Sequence, residues 1–190
     1  PTAKSGAAWV TDLTVAETIT FNVAANDTTE ERNAVIFVEY GAKNFSVHIK
    51  QQGDPYADWV VDVEFEATAL NGEYYGTAYS PDPNYFAILS KNGTTGWSDL
   101  YLDTYYRFDL YSKSATDASA PVLPQGVYAY DYLNSGMGDT FGDFYSVRMQ
   151  TFQDGRYVET KIEDGVVIIT ENKFEAILKM VDGKVHRVVY

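Results

Sequence analysis

The chain has 190 residues, room for one large domain or two small ones with a workable core. With 27 acidic against 14 basic residues its net charge is -13, which disfavours nucleic acid, whose phosphates need a basic stripe, and disfavours an anionic membrane surface on the same ground. There is no cysteine, which excludes a disulfide framework, a thiolate metal site and a cysteine nucleophile.

The charge is uneven: through Gly53 there are 6 acids against 4 basic residues, and from Asp54 onward 21 against 10. Tyrosine is abundant, at 16, with 10 Phe and 3 Trp. Its apolar body and polar tip suit half-exposed sheet faces and wet binding surfaces.

Pro1 to Ala8 is small and polar, and is expected to be loose at its start. Trp9-Val10-Thr11 is a short apolar patch whose Trp belongs to a core. Ile19, Phe21, Val23 and Ala25 recur at a spacing of two, the pattern of a strand with one buried face that ends near Asn26. Asn26 to Arg32 is a polar turn, and Asn33 to Tyr40 is β-branched and aromatic enough to be a second strand. Gly41 to Asn44 reverses the chain, and Phe45 to Gln51 returns as a third strand. The expectation is a three-stranded antiparallel meander.

Together with Trp9, this stretch resembles the BACON domain, a small immunoglobulin-like β-sandwich found at or near the N-termini of secreted proteins of Bacteroidetes. The likeness is carried by Ala8-Trp9-Val10, by the run NVAANDTTEER and by the closing VHIKQQG. Within the run, Asn26, Thr28 and Arg32 stand at the positions of the family's N-x-T-x-x-x-R pattern. The resemblance covers about the first quarter of the chain. It implies an extracytoplasmic setting, as an outer-membrane surface lipoprotein or a periplasmic protein, with membrane contact only through a lipid anchor upstream of Pro1. It also implies an association with carbohydrate or mucin. The family usually has a strand or two ahead of its Trp, so the sandwich is expected to be trimmed at this end.

Asp54-Pro55 directly follows Gly53 and is the best linker candidate, because Pro donates nothing to a ladder. Residues 1-53 and 57-190 are therefore expected to be separate domains. Val61 to Ala69 alternates cleanly, as a half-buried strand, and Asn71-Gly72 is a strong hairpin signal leading into Glu73 to Ser80. Further strands are expected over Tyr85 to Leu89, within Asp99 to Tyr111, over Val127 to Tyr132 and over Phe144 to Phe152. Thr94 to Ser98, Ser112 to Pro124 and Leu133 to Gly142 read as loops. Asp154-Gly155 and Asp164-Gly165 read as hairpin turns around Arg156 to Ile162 and Val166 to Thr170. Phe174 to Val181 fits a strand better than the helix its spacing also allows, and Asp182-Gly183 turns it into Lys184 to Tyr190. The fold class that follows is all-β: an immunoglobulin-like β-sandwich, then an antiparallel β-sandwich, with a β-barrel as the alternative. The second domain is also loosely like second domains of Bacteroidetes surface lipoproteins, a likeness that brings no site with it.

Catalytic signatures are missing. The two histidines, His48 and His186, sit on strands without ligand spacing and are expected on exposed faces. There is no G-x-S-x-G elbow and no phosphate-cradling glycine loop. A glycan hydrolase would need two carboxylates facing across a sugar, roughly 5 to 10 Å apart, and 27 acids make such a pair cheap by chance. Asp139 and Asp143 in GMGDTFGD are weak calcium candidates without the D-x-D-x-D density of a dedicated loop. Loop aromatics beside polar groups suit sugar recognition, where rings stack on the C–H face and polar side chains bond hydroxyls. The candidates are Trp97, Asp99, Tyr130, Tyr132, Asn134 and Phe141. The expectation is a non-enzymatic exported protein without a cofactor that binds a glycan or glycoprotein. A spacer in a surface complex and a glycan-acting hydrolase are the alternatives.

Overall fold

A computed structural model describes residues 1–93, 104–114, 116–151 and 156–190. Among them there is no helix, and the chain divides into two compact units, Pro1–Trp59 and Val60–Tyr190.

The first unit is two small sheets packed on each other. β1 (Thr2–Ser5), β4 (Arg32–Tyr40) and β5 (Lys43–Gln51) form one, in the order β1-β4-β5, and β2 (Val10–Val15) pairs with β3 (Ile19–Val23) in the other. Val10, Ala34, Ile36 and Val38 are buried between the sheets, with Trp9, Leu13, Phe21, Val47 and Ile49 packed around them. Two expectations change. The start of the chain is not loose, because Thr2 to Ser5 is hydrogen-bonded along β4. The meander does not form either: β4 and β5 make the expected hairpin, but β3 pairs with β2. The polar stretch between β3 and β4 is long enough to carry the chain from one sheet to the other, as a sandwich requires.

The motif residues build that crossing. Asn26 is buried and donates through Nδ2 to the carbonyls of Glu30, at 2.8 Å, and Gln52, at 3.1 Å, while Thr28 Oγ1 donates to its Oδ1 at 2.9 Å. Arg32 donates from Nη2 to the carbonyls of Ala24 and Ala25 and from Nε to Gln51 Oε1, and its guanidinium lies 4.4 Å from the Trp9 ring centre. Gly53 packs against the same crossing, where a Cβ would stand 2.2 Å from the Thr29 carbonyl oxygen.

The second unit is one ten-stranded sheet folded on itself. Its first strands are β6 (Val63–Glu66), β7 (Ala69–Gly76), β8 (Asn84–Ser90), β9 (Thr104–Tyr111) and β10 (Gly126–Asp131). They are followed by β11 (Thr140–Gly142), β12 (Val147–Thr151), β13 (Tyr157–Thr170), β14 (Lys173–Met180) and β15 (Val185–Val189). The order is β6-β15-β14-β13-β10-β11-β9-β8-β7, with β12 bridging β13 and β9. The pairings of β9, β12, β13, β10 and β11 therefore close a five-strand barrel, the expected alternative to a plain sandwich. The two arms of the sheet face each other across one core: Phe65 of β6 meets Tyr106 of β9 at 4.9 Å between ring centres, and Phe108 meets Phe174 of β14 at 5.2 Å. Two pairs, β10 with β11 and β15 with β6, are parallel, so the sheet is mixed instead of wholly antiparallel.

Two expected hairpin turns lie inside strands. Asn71-Gly72 is in mid-β7, where a Cβ on Gly72 would stand 2.2 Å from the Phe86 carbonyl oxygen, so close approach of β8 explains the glycine. β6 and β7 instead follow one another through Ala67-Thr68, where the chain leaves β15 and joins β8. Asp164-Gly165 is in mid-β13 at a register shift against β14, and a Cβ on Gly165 would stand 2.5 Å from the Ile177 carbonyl oxygen. Asp182-Gly183 is a turn as expected, with Gly183 at φ +84°. Asp154-Gly155 lies outside the described residues. His186 is not on an exposed face. It points into the core, where its Nδ1 and the Tyr106 hydroxyl are 2.8 Å apart.

Candidate binding cavity

A space adjoins β7 and β8 in the second unit. Gly72 and Ala87 are cross-strand partners, flanked by the pairs Leu70–Leu89 and Tyr74–Tyr85. Where neighbouring pairs fill the interior with large side chains, this one contributes at most a methyl group. The space is a cavity of about 440 Å³, walled by residues 70–74 and 85–87, residues 121–123, the β13–β14 turn from Ile169 to Phe174, and Tyr190. Its volume falls in the range of small-ligand sites.

The walls are mainly apolar and aromatic, and the polar groups stand at defined places. Tyr74 and Tyr85 are in ring contact at 4.8 Å, and the Tyr85 hydroxyl donates to the Ser114 carbonyl at 3.2 Å. Burial, with Tyr74 beside it, pushes the Tyr85 phenol up to about 12, so it stays neutral near pH 7. Lys173 Nζ is held by Glu175 Oε2 at 2.5 Å. Glu73 accepts the Tyr75 hydroxyl, while Asn172 and Glu171 sit in the exposed turn.

The sequence-predicted residues are elsewhere and do not converge. Trp97 and Asp99 lie outside the described residues. Phe141 is not a loop platform. It is strand β11, 0% exposed and in contact with Phe108 and Tyr130. Tyr130 is half-buried against the same core, its hydroxyl shared between Asp143 Oδ1 at 2.7 Å and the Ile162 carbonyl at 3.0 Å. Tyr132 is 73% exposed. Asn134, at φ +51°, lays its side-chain oxygen over Gly142, where a Cβ would come within 2.1 Å of it. Of the described candidates, Tyr132 alone presents a well-exposed ring.

The acids of this loop serve the loop itself. Asp139 takes the Lys113 amide at 3.1 Å and pairs with Lys113 Nζ at 3.6 Å, and Asp143 takes the Tyr130 hydroxyl. Asp131 accepts from the amides of Leu133 and Ser135. Among the described residues no group of three or more His, Asp or Glu side chains converges on a point that would hold a metal.

Residues 2–52 match the model of the BACON family, described as "Putative binding domain, N-terminal". The match lies within the first unit and leaves the unit with the cavity unmatched. No curated protein and no solved structure matches the chain.

Proposed function

We propose that this chain is a non-enzymatic, exported binding protein of the cell surface or periplasm whose second unit takes a glycan or glycoprotein at the cavity beside β7. The observation that carries it is the cavity's lining, in which the aromatic residues Tyr74, Tyr85, Phe174 and Tyr190 stand beside the polar Asn71, Glu73 and Asn172. Aromatic faces with a few placed polar groups are what a sugar ring needs. The family match supports binding in general. The acidic balance points away from nucleic acid.

The test is retention of the whole chain on neutral polysaccharides and mucin, followed by titration of whatever is retained. Tyr190→Ala and Tyr74→Ala should each weaken binding about tenfold, the order of one lost stacking contact plus its apolar area. Absence of retention on every polysaccharide and on mucin would remove the glycan reading. Turnover of a chromogenic glycoside would replace it with a hydrolase.

A further inference from the structure

We infer that the site takes the end of a neutral glycan, whose terminal ring enters with a methyl-bearing substituent foremost, either a 6-deoxy carbon or an N-acetyl group. The inference rests on the cavity being the glycan site and names which part of the glycan it holds.

The cavity has a floor and a rim. Tyr85, Ala87, Ile169 and Phe174 line it and are buried members of the main core, and Leu70 and Leu123 line it while packing against that core. Phe174 is itself packed on Phe108, with ring centres 5.2 Å apart, so the space ends against filled interior. Glu73, Val122, Glu171 and Asn172 also line it and are exposed. A space that runs from an exposed rim to a buried floor holds the end of a chain and is not threaded by its middle. Capacity agrees: a pyranose with its substituents fills on the order of 200 Å³ at interior packing density, so a cavity of about 440 Å³ holds one or two rings.

The chemistry of the floor decides which part of the ring goes in first. Ala87, Ile169 and Phe174 bring hydrocarbon side chains, and the Tyr85 hydroxyl donates to the Ser114 carbonyl at 3.2 Å. The main chain there is committed as well: β8 is paired on both sides, and Phe174 exchanges both of its main-chain bonds with Tyr190, at 2.8 and 2.9 Å. A sugar hydroxyl pressed into such a floor loses its water without a replacement, whereas a methyl group gains by leaving water. Sugars carry a methyl group in two common forms, the 6-deoxy carbon and the N-acetyl group. The hydroxyls of the same ring fall to the polar rim.

The sign of the rim sets the charge of the ligand. Lys173 is neutralised by Glu175, leaving Glu73 and Glu171 at the mouth of a unit with a marked acidic excess. A uronic or sialic acid would bring a further carboxylate against them, and like charges brought together are what an interface rejects most strongly. The terminal ring is therefore neutral.

The probes are four soluble sugars with a methyl group, L-fucose, L-rhamnose, N-acetylglucosamine and N-acetylgalactosamine, set against L-galactose, L-mannose, glucose and galactose, which carry a hydroxyl in its place. Each is added to the whole chain held on the polysaccharide or mucin that retains it, and saturation-transfer NMR is recorded on the chain with each sugar in solution. At least one methyl-bearing sugar should displace the chain, with the strongest saturation on its methyl protons, and its hydroxyl counterpart should be at least about tenfold weaker. Trimming the retained polymer with exoglycosidases should release the chain. Glucuronic and N-acetylneuraminic acids should not displace it, and Glu73→Gln with Glu171→Gln should let them compete while far-UV circular dichroism stays unchanged. Retention that no monosaccharide competes with and that survives exoglycosidase trimming overturns the inference. So does equal displacement by a methyl-bearing sugar and its hydroxyl counterpart, displacement of the unaltered chain by the acidic sugars, or a double variant that still excludes them. Each of these outcomes leaves the glycan reading standing, whereas retention on no polysaccharide and no mucin removes both.

Discussion

Arg32 shows how much a single side chain carries in the first unit. Its guanidinium ties the end of β3 to β5 through two carbonyls and Gln51 and covers Trp9, so the crossing between sheets depends on it. Arg32→Ala should cost about 2 to 3 kcal/mol in urea unfolding, the size of charged hydrogen bonds with a cation–π contact, and Arg32→Lys should recover little because an ammonium lacks the planar fork. His186 predicts a pH effect. Burial holds its pKa below the usual histidine value, Arg148 and Lys184 push it the same way, and Asp182 and Asp62 oppose them. Its Nε2 is buried without a hydrogen-bond partner, which favours the neutral ring. With the folded pKa depressed, the unfolded chain binds the proton first. Stability is therefore full above about pH 6.5 and declines as pH falls toward the folded value, with a slope of up to about 1.4 kcal/mol per pH unit. Thermal melts between pH 8 and 5 should show the decline, and His186→Leu should flatten the part of it that this ring contributes.

At the scale of elements, the glycines of β13 and of the turn after β14 separate two roles that an Asp-Gly pair can play. A Cβ on Gly165 would press on the Ile177 carbonyl, whereas Gly183 has nothing within 4 Å and only its φ of +84° to satisfy. Gly183→Ala should cost about 1 kcal/mol through backbone strain alone. Gly165→Ala should cost more, about 2 to 4 kcal/mol, because the β13–β14 ladder must move apart, and amide exchange should quicken along β14. This is why strands were legible in the sequence and their joins were not. Alternation over Val63 to Phe65 and over Phe174 to Met180 records burial directly, and both stretches are strands. Asn71-Gly72 and Asp164-Gly165 have turn chemistry, but their glycines are there for the close approach of a neighbouring strand, a fact held by the partner's position. Pairing had the same blindness: nothing local to Ile19–Val23 says that it joins β2 and not β4. The cavity was hidden for that reason, since its walls come from β7, β8, residues 121–123, the β13–β14 turn and Tyr190, which are brought together only by the pairing of the strands. Phe141 misled in the opposite direction, because three nearby glycines suggested a loop where three residues of strand bring the ring into the core.

For the molecule as a whole, the partition at Trp59 makes a claim about cooperativity. Ile36 and Val38 belong to a core wholly inside Pro1–Trp59, while the large cluster from Phe65 to Val188 lies wholly inside Val60–Tyr190. Each unit therefore has its own source of hydrophobic stabilisation, and each can lose it separately. The first unit is much the smaller, so it buries a lower fraction of its surface and has the smaller dependence on denaturant. Urea titration should resolve two transitions, and methyl signals of Ile36 and Leu178 report them one at a time. Arg32→Ala should move the transition with the shallower slope and leave the other in place. His186→Leu should do the reverse, since its ring is buried against β9 in the second unit. If either substitution moved both transitions together, the units would share stabilising free energy, and the second unit could no longer be treated as a binding module that folds on its own core.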